Sequence, residues 1–286
     1  MTGFTRVGEL VQAEIDGKSC YATWRKTPIQ TTTIGIWFDL SMSPGNPQAQ
    51  YYAAAPLEAT PLLRSENGGL NHGQATGTTK VLRQISAMNG AATALPMTMM
   101  CLDYLLYYPF VDQGTTDQQD MDNTVTLPRH VSGAGVQVMA ISVAAPIGGQ
   151  TFRITYTNSD GVAGRVSGLS QINAATYVGA IATSDRAVAL ARGPFISLQD
   201  NDSGVRSIES VSMVSGTDVG LLTLVLVYPM AQFQIRGIDA AVEVDYFQDF
   251  SRLPIIEDDA YLNWICCPSG SLNGASIIGD MKTVWS

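Results

Sequence analysis

Residues 219–229 read VGLLTLVLVYP, and between positions 221 and 227 only Thr223 interrupts an apolar run. Valine and leucine at successive positions leave no polar face, and this pattern is typical of a strand that is buried on both sides. We therefore expect a strand at the centre of the core or beneath a subunit contact.

Strand composition recurs along the chain from residue 124 onward. Phe152, Ile154 and Tyr156 alternate with polar residues, and the turn at 158–161 sends the chain back antiparallel through 162–166. We predict a mainly β fold, a jelly-roll-like β-sandwich with an irregular N-terminal region and one or two short helices. The predicted strands are TVTL (124–127), VQVMAISVA (136–144), TFRITYT (151–157), VRSIESVSMV (205–214), VGLLTLVLVYP (219–229), AVEVDYF (241–247) and AYLNWICC (260–267).

The N-terminal third is less regular. Asp16-Gly17 between two apolar segments predicts a tight hairpin turn, and a helix over residues 7–15 is the alternative. Glycines break residues 56–90 into predicted loop, with a short strand or helical turn at 81–85. Residues 97–108 contain Met, Leu and Tyr without glycine, and we predict a buried helix of about three turns there.

The chain of 286 residues suits one or two domains. The predicted division is an irregular N-terminal region over residues 1–115, with the hairpin or arm and the buried helix, followed by a β-sandwich domain over residues 116–286. The loop at 114–129 is the best boundary. One continuous domain remains the alternative.

Charge is scarce in this sequence. Only 14% of residues are charged, against about 25% in ordinary proteins, and glycine, alanine, serine and threonine fill the spaces between apolar runs. Small neutral residues suit large interfaces in which charge would have to be desolvated, so obligate assembly is expected. The net charge of −9, with no basic run beyond Arg25-Lys26, argues against direct nucleic-acid binding.

Cysteine usage and the first residues bear on the compartment. Four scattered cysteines are too few to stabilise a chain of this length by disulfide bonds. The first residues, MTGFTRVGELVQ, lack the charged and then apolar layout of a signal peptide. Synthesis in a reducing cytosol is expected. The apolar run at 91–110 contains Pro96 and Asp103, and a carboxylate at mid-bilayer is costly, so we predict buried core and no membrane partner.

The stretch DQGTTDQQDMDNTVTLPR (112–129) concentrates four aspartates: Asp112, Asp117, Asp120 and Asp122. A calcium loop needs glycine at its sixth position and a glutamate at its twelfth. Counting from Asp120, these positions hold Val125 and Val131, and the register from Asp112 fails as well. We predict an exposed, solvating connection between the buried helix and the first strand, although a looser calcium site stays open.

Other candidate sites also give weak signals. His72 and His130 have no HxH or HExxH partner, so metal binding is a minority interpretation. The adjacent Cys266 and Cys267 lack the spacer of a metal pair and are expected in or near the core. Residues 17–19 (GKS) lack the rest of a phosphate-binding loop, and a hairpin turn explains them better.

Catalytic signatures do not emerge from the sequence. No Gly-x-Ser-x-Gly pentapeptide occurs, the nearest segment being 168–172, and two histidines leave few candidate bases. We therefore predict a protein that is not an enzyme, with no catalytic, cofactor-binding or metal site.

Three stretches carry a resemblance that covers most of the chain: WFDLSMSPGNPQAQYYAAAPLEAT (37–60), LDYLLYYPFVDQGTTDQQDMDNTVTLPR (102–129), and GVQVMAISVAAP with TFRITYTNSDGV (135–146 and 151–162). They resemble segments of virion structural proteins of tailed bacteriophages. The resemblance implies a protein made in the bacterial cytoplasm and built in many copies into a symmetric particle, on the head. It carries over no catalytic or binding residues.

The sequence departs from the main lattice proteins of such heads, because it shows neither a long spine helix nor a basic N-terminal arm. An accessory role follows as the expectation: capsid decoration by a homo-oligomer, a trimer or higher, that binds the major capsid protein. Trp37, Phe38, Tyr51 and Tyr52 are candidates for an arm that reaches a neighbour, and packing in the protein's own core is the equal alternative.

Two other functions stay open. A tail or head–tail connector component would form rings of fixed copy number. A carbohydrate-binding or hydrolytic β-sandwich would use the aspartate loop for carboxylates and four tryptophans as stacking platforms: Trp24, Trp37, Trp264 and Trp285.

Overall fold

The computed structural model describes residues 3–173, 177–215, 219–249 and 253–286. In these ranges the fold is mainly β, with several antiparallel sheets, two short α-helices and the layered packing of a β-sandwich, as the sequence predicts. The helices are α1 (Val7–Ile15) and α2 (Tyr246–Asp249), with 3-10 turns at Leu40–Met42 and Ala92–Ala94. The strands are β1 (Ser19–Lys26), β2 (Phe38–Asp39), β3 (Gly45–Asn46), β4 (Thr60–Pro61), β5 (Lys80–Asn89), β6 (Met97–Asp112), β7 (Gln119–Asp120), β8 (Gln137–Ala144), β9 (Thr151–Asn158), β10 (Arg165–Val166), β11 (Ser170–Gln171), β12 (Val205–Ser215), β13 (Leu221–Ile235), β14 (Val242–Asp245), β15 (Ile255–Ile256), β16 (Leu262–Cys267) and β17 (Ile277–Trp285).

A central sheet organises the molecule. Its strand order is β2-β16-β6-β13-β8, with β4 paired to β6. The apolar run at 219–229 supplies most of the buried part of β13, which pairs with β6 on one side and β8 on the other. The side chains of Leu222 through Val227 are buried, so the expectation of a strand covered on both faces is confirmed.

Two outer sheets cover one face of the central sheet. The first outer sheet has the order β14-β5-β17-β1-β3, with β15 on β5, and the second has the order β10-β9-β12-β7, with β11 on β9. Residues of β6 and β13 pack against the first sheet near Met99 and Phe233 and against the second near Leu106 and Leu224. The other face is covered by loops that contribute residues such as Tyr52 and Ile181.

The predicted helix at 97–108 is wrong. These residues form the first three quarters of β6, whose side chains are buried almost without interruption from Met97 to Val111. A strand with both faces covered has no polar side, so its apolar run looks the same as that of a buried helix. The prediction of a buried core segment at 91–110 is correct for the strand residues from Met97 onward.

The predicted hairpin at Asp16-Gly17 is also wrong, and the alternative helix over residues 7–15 is correct. Gly17 adopts a left-handed φ of 73°, and the amides of Gly17 and Lys18 donate to the carbonyls of Glu14 and Ala13. This pair of bonds is the Schellman motif that ends a helix at glycine. The residues 17–19 therefore terminate α1 and do not turn a hairpin.

Several other predicted elements can be compared with the structure. Strands occur where they are predicted at 136–144, 151–157, 205–214, 241–247 and 260–267, with small differences at the ends. The antiparallel return through 162–166 is confirmed by β10, and the strand at 81–85 is part of the longer β5. TVTL (124–127) is not a strand, and β17 is absent from the prediction although its buried residues alternate.

The domain division at residues 115 and 116 stays a prediction. Strands from both sides of it share the central sheet, where β6 pairs with β13 and β16. They also share the first outer sheet, where β1 and β5 flank β17.

Candidate functional site

Helix α1 is fixed on the outer face of the first outer sheet. The Glu9 carboxylate accepts hydrogen bonds from the amides of Thr5 (2.7 Å) and Arg6 (3.3 Å), which satisfies donors at the helix start. The Thr5 amide is the main reason that the pKa of Glu9 lies below its ordinary value. Leu10 and Ala13 face inward against the sheet.

The outward face of α1 is apolar as well. Val7, Val11 and Ile15 occupy every fourth position, so they form one stripe, and they are 56%, 52% and 72% exposed. A helix that is apolar on opposite faces is normally covered on both of them. We call these three side chains the α1 stripe. They are an apolar surface without a cover among the described residues.

Ion pairs hold α1 in place beneath this stripe. The Glu14 carboxylate accepts from Lys282 Nζ at 2.8 Å and lies 3.7 Å from Arg83 Nε. Partly exposed pairs of this kind stabilise the fold by about 1 kcal/mol or less each, but they fix which helix face points outward. The stripe is therefore a defined surface.

The four aromatic residues predicted for an arm divide between core and surface. Phe38 and Tyr52 are buried, Trp37 is half-buried, and Tyr51 is exposed. For Phe38 and Tyr52 the alternative of packing in the protein's own core is confirmed. Tyr51 alone keeps the exposure that an interface anchor needs.

The four aspartates at 112–122 are all exposed, as predicted. They follow β6 and not a helix, and Asp112 and Asp120 are themselves strand residues. Their contacts are local, since Asp112 accepts from the Gly114 amide at 2.7 Å and Asp120 from Gln118 Nε2 at 2.6 Å. Within the described residues, no three histidine, cysteine, aspartate or glutamate side chains are grouped as a metal site.

His72 is buried in a polar cluster that the sequence does not reveal. Its Nε2 lies 2.9 Å from the Ala260 carbonyl, so Nε2 carries the proton and Nδ1 accepts from Lys80 Nζ at 3.1 Å. Lys80 also donates to Asp258 at 3.3 Å. Burial, with the nearby Lys80 charge, lowers the pKa of His72 to about 4. The fold therefore holds this imidazole neutral.

A second cluster lies on the central sheet between the two outer sheets. Arg129 donates Nε and Nη2 to both oxygens of Asp103 at 2.9 and 2.8 Å, and both side chains are buried. Burial disfavours the Asp103 carboxylate, but His130, with Nε2 3.7 Å away, and the hydrogen bonds from Arg129 outweigh this effect and lower the pKa of Asp103. His130 stacks on Tyr228, with ring centroids 3.9 Å apart, at the edge of a cleft of about 510 Å³.

A third cluster surrounds Asp39, beneath the loops of the central sheet. Its carboxylate accepts from the Ser41 amide and hydroxyl and from the hydroxyls of Tyr52 and Tyr104, at 2.6 to 2.9 Å. Burial raises its pKa in spite of these bonds. Lys26, buried nearby, donates to three backbone carbonyls, and burial lowers its pKa to about 8.

The tryptophans and paired cysteines are mostly core residues. Trp24 and Trp264 are buried with ring centroids 5.0 Å apart, so neither is a stacking platform for a sugar, while Trp37 and Trp285 are half-buried. Cys266 is buried and Cys267 half-buried, which confirms the expectation for this pair. No helix among the described residues is long and apolar enough to cross a membrane.

No family model matches the chain, and no curated protein matches it. Among solved structures, it is weakly similar to virus particle proteins. One of them is a chain from the structure of the Gt strain of infectious bursal disease virus, which is 8% identical in sequence. The match covers 93% of this chain and 80% of that chain, with a TM-score of 0.19. The VP2 subviral particle of the same virus is also 8% identical, covering 94% and 80%, with a TM-score of 0.15.

Proposed function

We propose that this chain is a structural protein of a virion, which acts by binding copies of itself and other virion proteins and not by catalysis. The observation that carries the proposal is the α1 stripe, an ordered apolar surface on a helix whose opposite face is already buried. The low charge of the sequence supports the same conclusion, because few charges have to be desolvated when such surfaces meet.

The stripe is large enough to matter energetically. Complete burial of a valine or isoleucine side chain contributes about 1.5–3 kcal/mol, and each of the three is half to three-quarters exposed. Covering Val7, Val11 and Ile15 therefore contributes roughly 3–5 kcal/mol before the cost of ordering the partners. This is enough to change association by more than a hundredfold.

The specific form that we favour is decoration of a tailed-phage head by a homo-oligomer, made in the bacterial cytoplasm and bound to the major capsid protein. Its support is the resemblance of residues 37–60, 102–129, 135–146 and 151–162 to such virion proteins. A protein that binds only the assembled shell stabilises that shell by mass action. Neither nucleic acid nor a membrane is proposed as a partner.

A tail or head–tail connector component is the second form of the same proposal, and it would form rings of fixed copy number. The carbohydrate-binding alternative is weakened, because Trp24 and Trp264 are inside the core. It would have to rely on the half-buried Trp37 and Trp285.

Sedimentation analysis of serine variants tests the role of the α1 stripe. The test variant replaces Val7, Val11 and Ile15 by serine. The control replaces Val131, Ile147 and Val162, which match in residue type and are 71%, 56% and 52% exposed elsewhere on the surface. We expect the test variant to lose association or retention on assembled heads by at least about tenfold, with the control unchanged. Equal behaviour of the two variants would show that the α1 stripe has no role in association.

Binding to particles tests the virion role itself. Labelled chain is mixed with heads that were assembled without it, and the heads are then separated by density. We expect the chain to band with the heads and to raise the temperature at which they open. A chain that stays unbound and also retains oligosaccharides on a glycan array would support the carbohydrate-binding alternative.

A further inference from the structure

Strand β1 has a long free edge. It pairs with β17 over its whole length, but on its other side β3 pairs only with Arg25 and Lys26. Residues 19–24 therefore have no strand partner on that side among the described residues. Edges of this kind present unpaired N–H and C=O groups to any extended chain.

The flanking hydrogen bonds show which backbone groups point outward. The Trp285 amide donates to the Lys18 carbonyl on the β17 side, and the Thr27 amide donates to the Pro44 carbonyl on the β3 side. Since the direction of the backbone N–H and C=O groups alternates along a strand, Ser19, Tyr21 and Thr23 direct theirs to the free edge. The side-chain amide of Asn46 approaches the Thr23 carbonyl there, at 3.5 Å.

This edge lacks three of the usual forms of protection. Natural proteins guard free edges with charged residues, proline or bulges, but residues 19–24 (SCYATW) are uncharged, contain no proline and pair with β17 without a register shift. A groove of about 350 Å³ also runs beside the edge, between β1 and residues such as Pro47 and Asn71. The strand has room for a neighbour.

We propose that this edge pairs antiparallel with the same edge of a second copy of the chain, joining two outer sheets into one. The proposal rests on the self-association proposed above and gives it a second surface, separate from the α1 stripe. In the symmetric register, Tyr21 faces Tyr21 of the partner subunit, and Ser19 faces Thr23 of the partner subunit. Three outward-facing residues per chain give about six interchain hydrogen bonds.

The second copy is the occupant that fits this edge best. Pairing centred on Tyr21 places tyrosine opposite tyrosine and small neutral residues opposite each other on either side of it, and it brings no two like charges together. The length also matches, because the free edge is bounded by the turn at Gly17 on one side and by β3 at Arg25 on the other. In this register the partner strand ends where β3 begins, and the two-fold contact uses the same surface on both chains.

Amide hydrogen exchange on the unmodified protein is the direct test. The Ala22 amide points to β17 and should be protected at every protein concentration. The Tyr21 and Thr23 amides should exchange rapidly in dilute protein and become protected as concentration rises. If they stay unprotected in protein that is demonstrably oligomeric, the edge is not the interface.

Variants at Tyr21 provide a second, independent test by sedimentation. Tyr21→Pro removes the outward N–H, which an edge strand tolerates, and Tyr21→Lys adds the charge that guards natural edges. We expect each to raise the dissociation constant at least about tenfold. Val131→Lys is the control, since Val131 is 71% exposed and Tyr21 66%, and Val131 lies in a turn outside the surfaces proposed for binding.

The outcomes separate the two proposals. Association that both Tyr21 variants retain overturns the edge pairing and leaves self-association standing. A monomer at all concentrations, with freely exchanging Tyr21, overturns self-association itself. Loss of association in the Tyr21 variants only, with the Val131 control unchanged and circular dichroism native in all, supports the edge pairing.

Discussion

Replacing His72 by glutamine should make the protein less sensitive to mild acid. The imidazole is buried, donates from Nε2 to the Ala260 carbonyl and accepts from Lys80 at Nδ1. A proton added at Nδ1 would remove that acceptor and place two cations 3.1 Å apart in the interior. Glutamine at this position does not titrate, so it removes the proton-linked part of the stability.

The magnitude follows from the difference in pKa between the folded and unfolded chain. The pKa of His72 is about 4 in the fold, against an ordinary value of 6.5. Between these pH values the unfolded chain binds more protons, so the free energy of unfolding falls as the pH falls. The difference corresponds to about 3 kcal/mol, present in full above pH 6.5 and lost by pH 4.

Urea unfolding at pH values from 7.5 to 4 measures this effect. The other ionisable groups are common to both proteins, so the difference between their stability curves reports His72. We expect the unmodified protein to lose about 3 kcal/mol more than the His72→Gln variant across this range, although the variant starts from lower stability. Parallel curves would refute the reasoning, because they would mean that His72 binds protons equally in both states.

Three further predictions concern stability. Arg129→Met leaves the buried Asp103 carboxylate without its arginine partner and should lower the free energy of unfolding by about 3–5 kcal/mol, measured with urea. Adding Asp103→Leu should restore much of this stability. No recovery in the double variant would show that the unpaired carboxylate does not cause the loss. Gly17→Ala puts a side chain at a φ of 73° and should cost about 1 kcal/mol by the same assay, although a Cβ there meets no atom within 4 Å; an unchanged midpoint would contradict this. Changing Asp117 and Asp120 to Asn should leave the melting temperature the same with and without calcium, and a rise of several degrees with calcium in the unmodified protein alone would reveal a site.

The sequence predicts β-structure best where one face of a strand is exposed to solvent. Strand β9 alternates and is found where it is predicted, within one residue. Strand β6 has no solvent-exposed face, and its Met- and Leu-rich composition favours a helix when taken alone. Only the pairing with β13 and β16 on its two sides determines its conformation, and those partners are more than a hundred residues away.

The N-terminal helix shows a different ambiguity. The pair Asp-Gly occurs both in hairpin turns and at the ends of helices, because both structures require a residue that accepts positive φ. The spacing of Leu10 and Ala13 on one side, and of Val7 and Ile15 on the other, indicates a helix once both faces are considered. The same spacing is the signal from which the α1 stripe could have been found.

The buried polar clusters could not be predicted from local patterns. Asp103 bonds to Arg129 and to the Tyr261 amide, which is 158 positions away, and Lys80 bonds to Asp258 across 178 positions. No motif spacing encodes such contacts. They arise from the order of strands in the sheets, which the sequence alone leaves open.

Native mass spectrometry of the unmodified chain at micromolar concentration tests self-association most directly. Self-association predicts masses at a whole-number multiple of 30.5 kDa, with the monomer appearing on dilution. A single species at 30.5 kDa at every concentration up to the limit of solubility would contradict it.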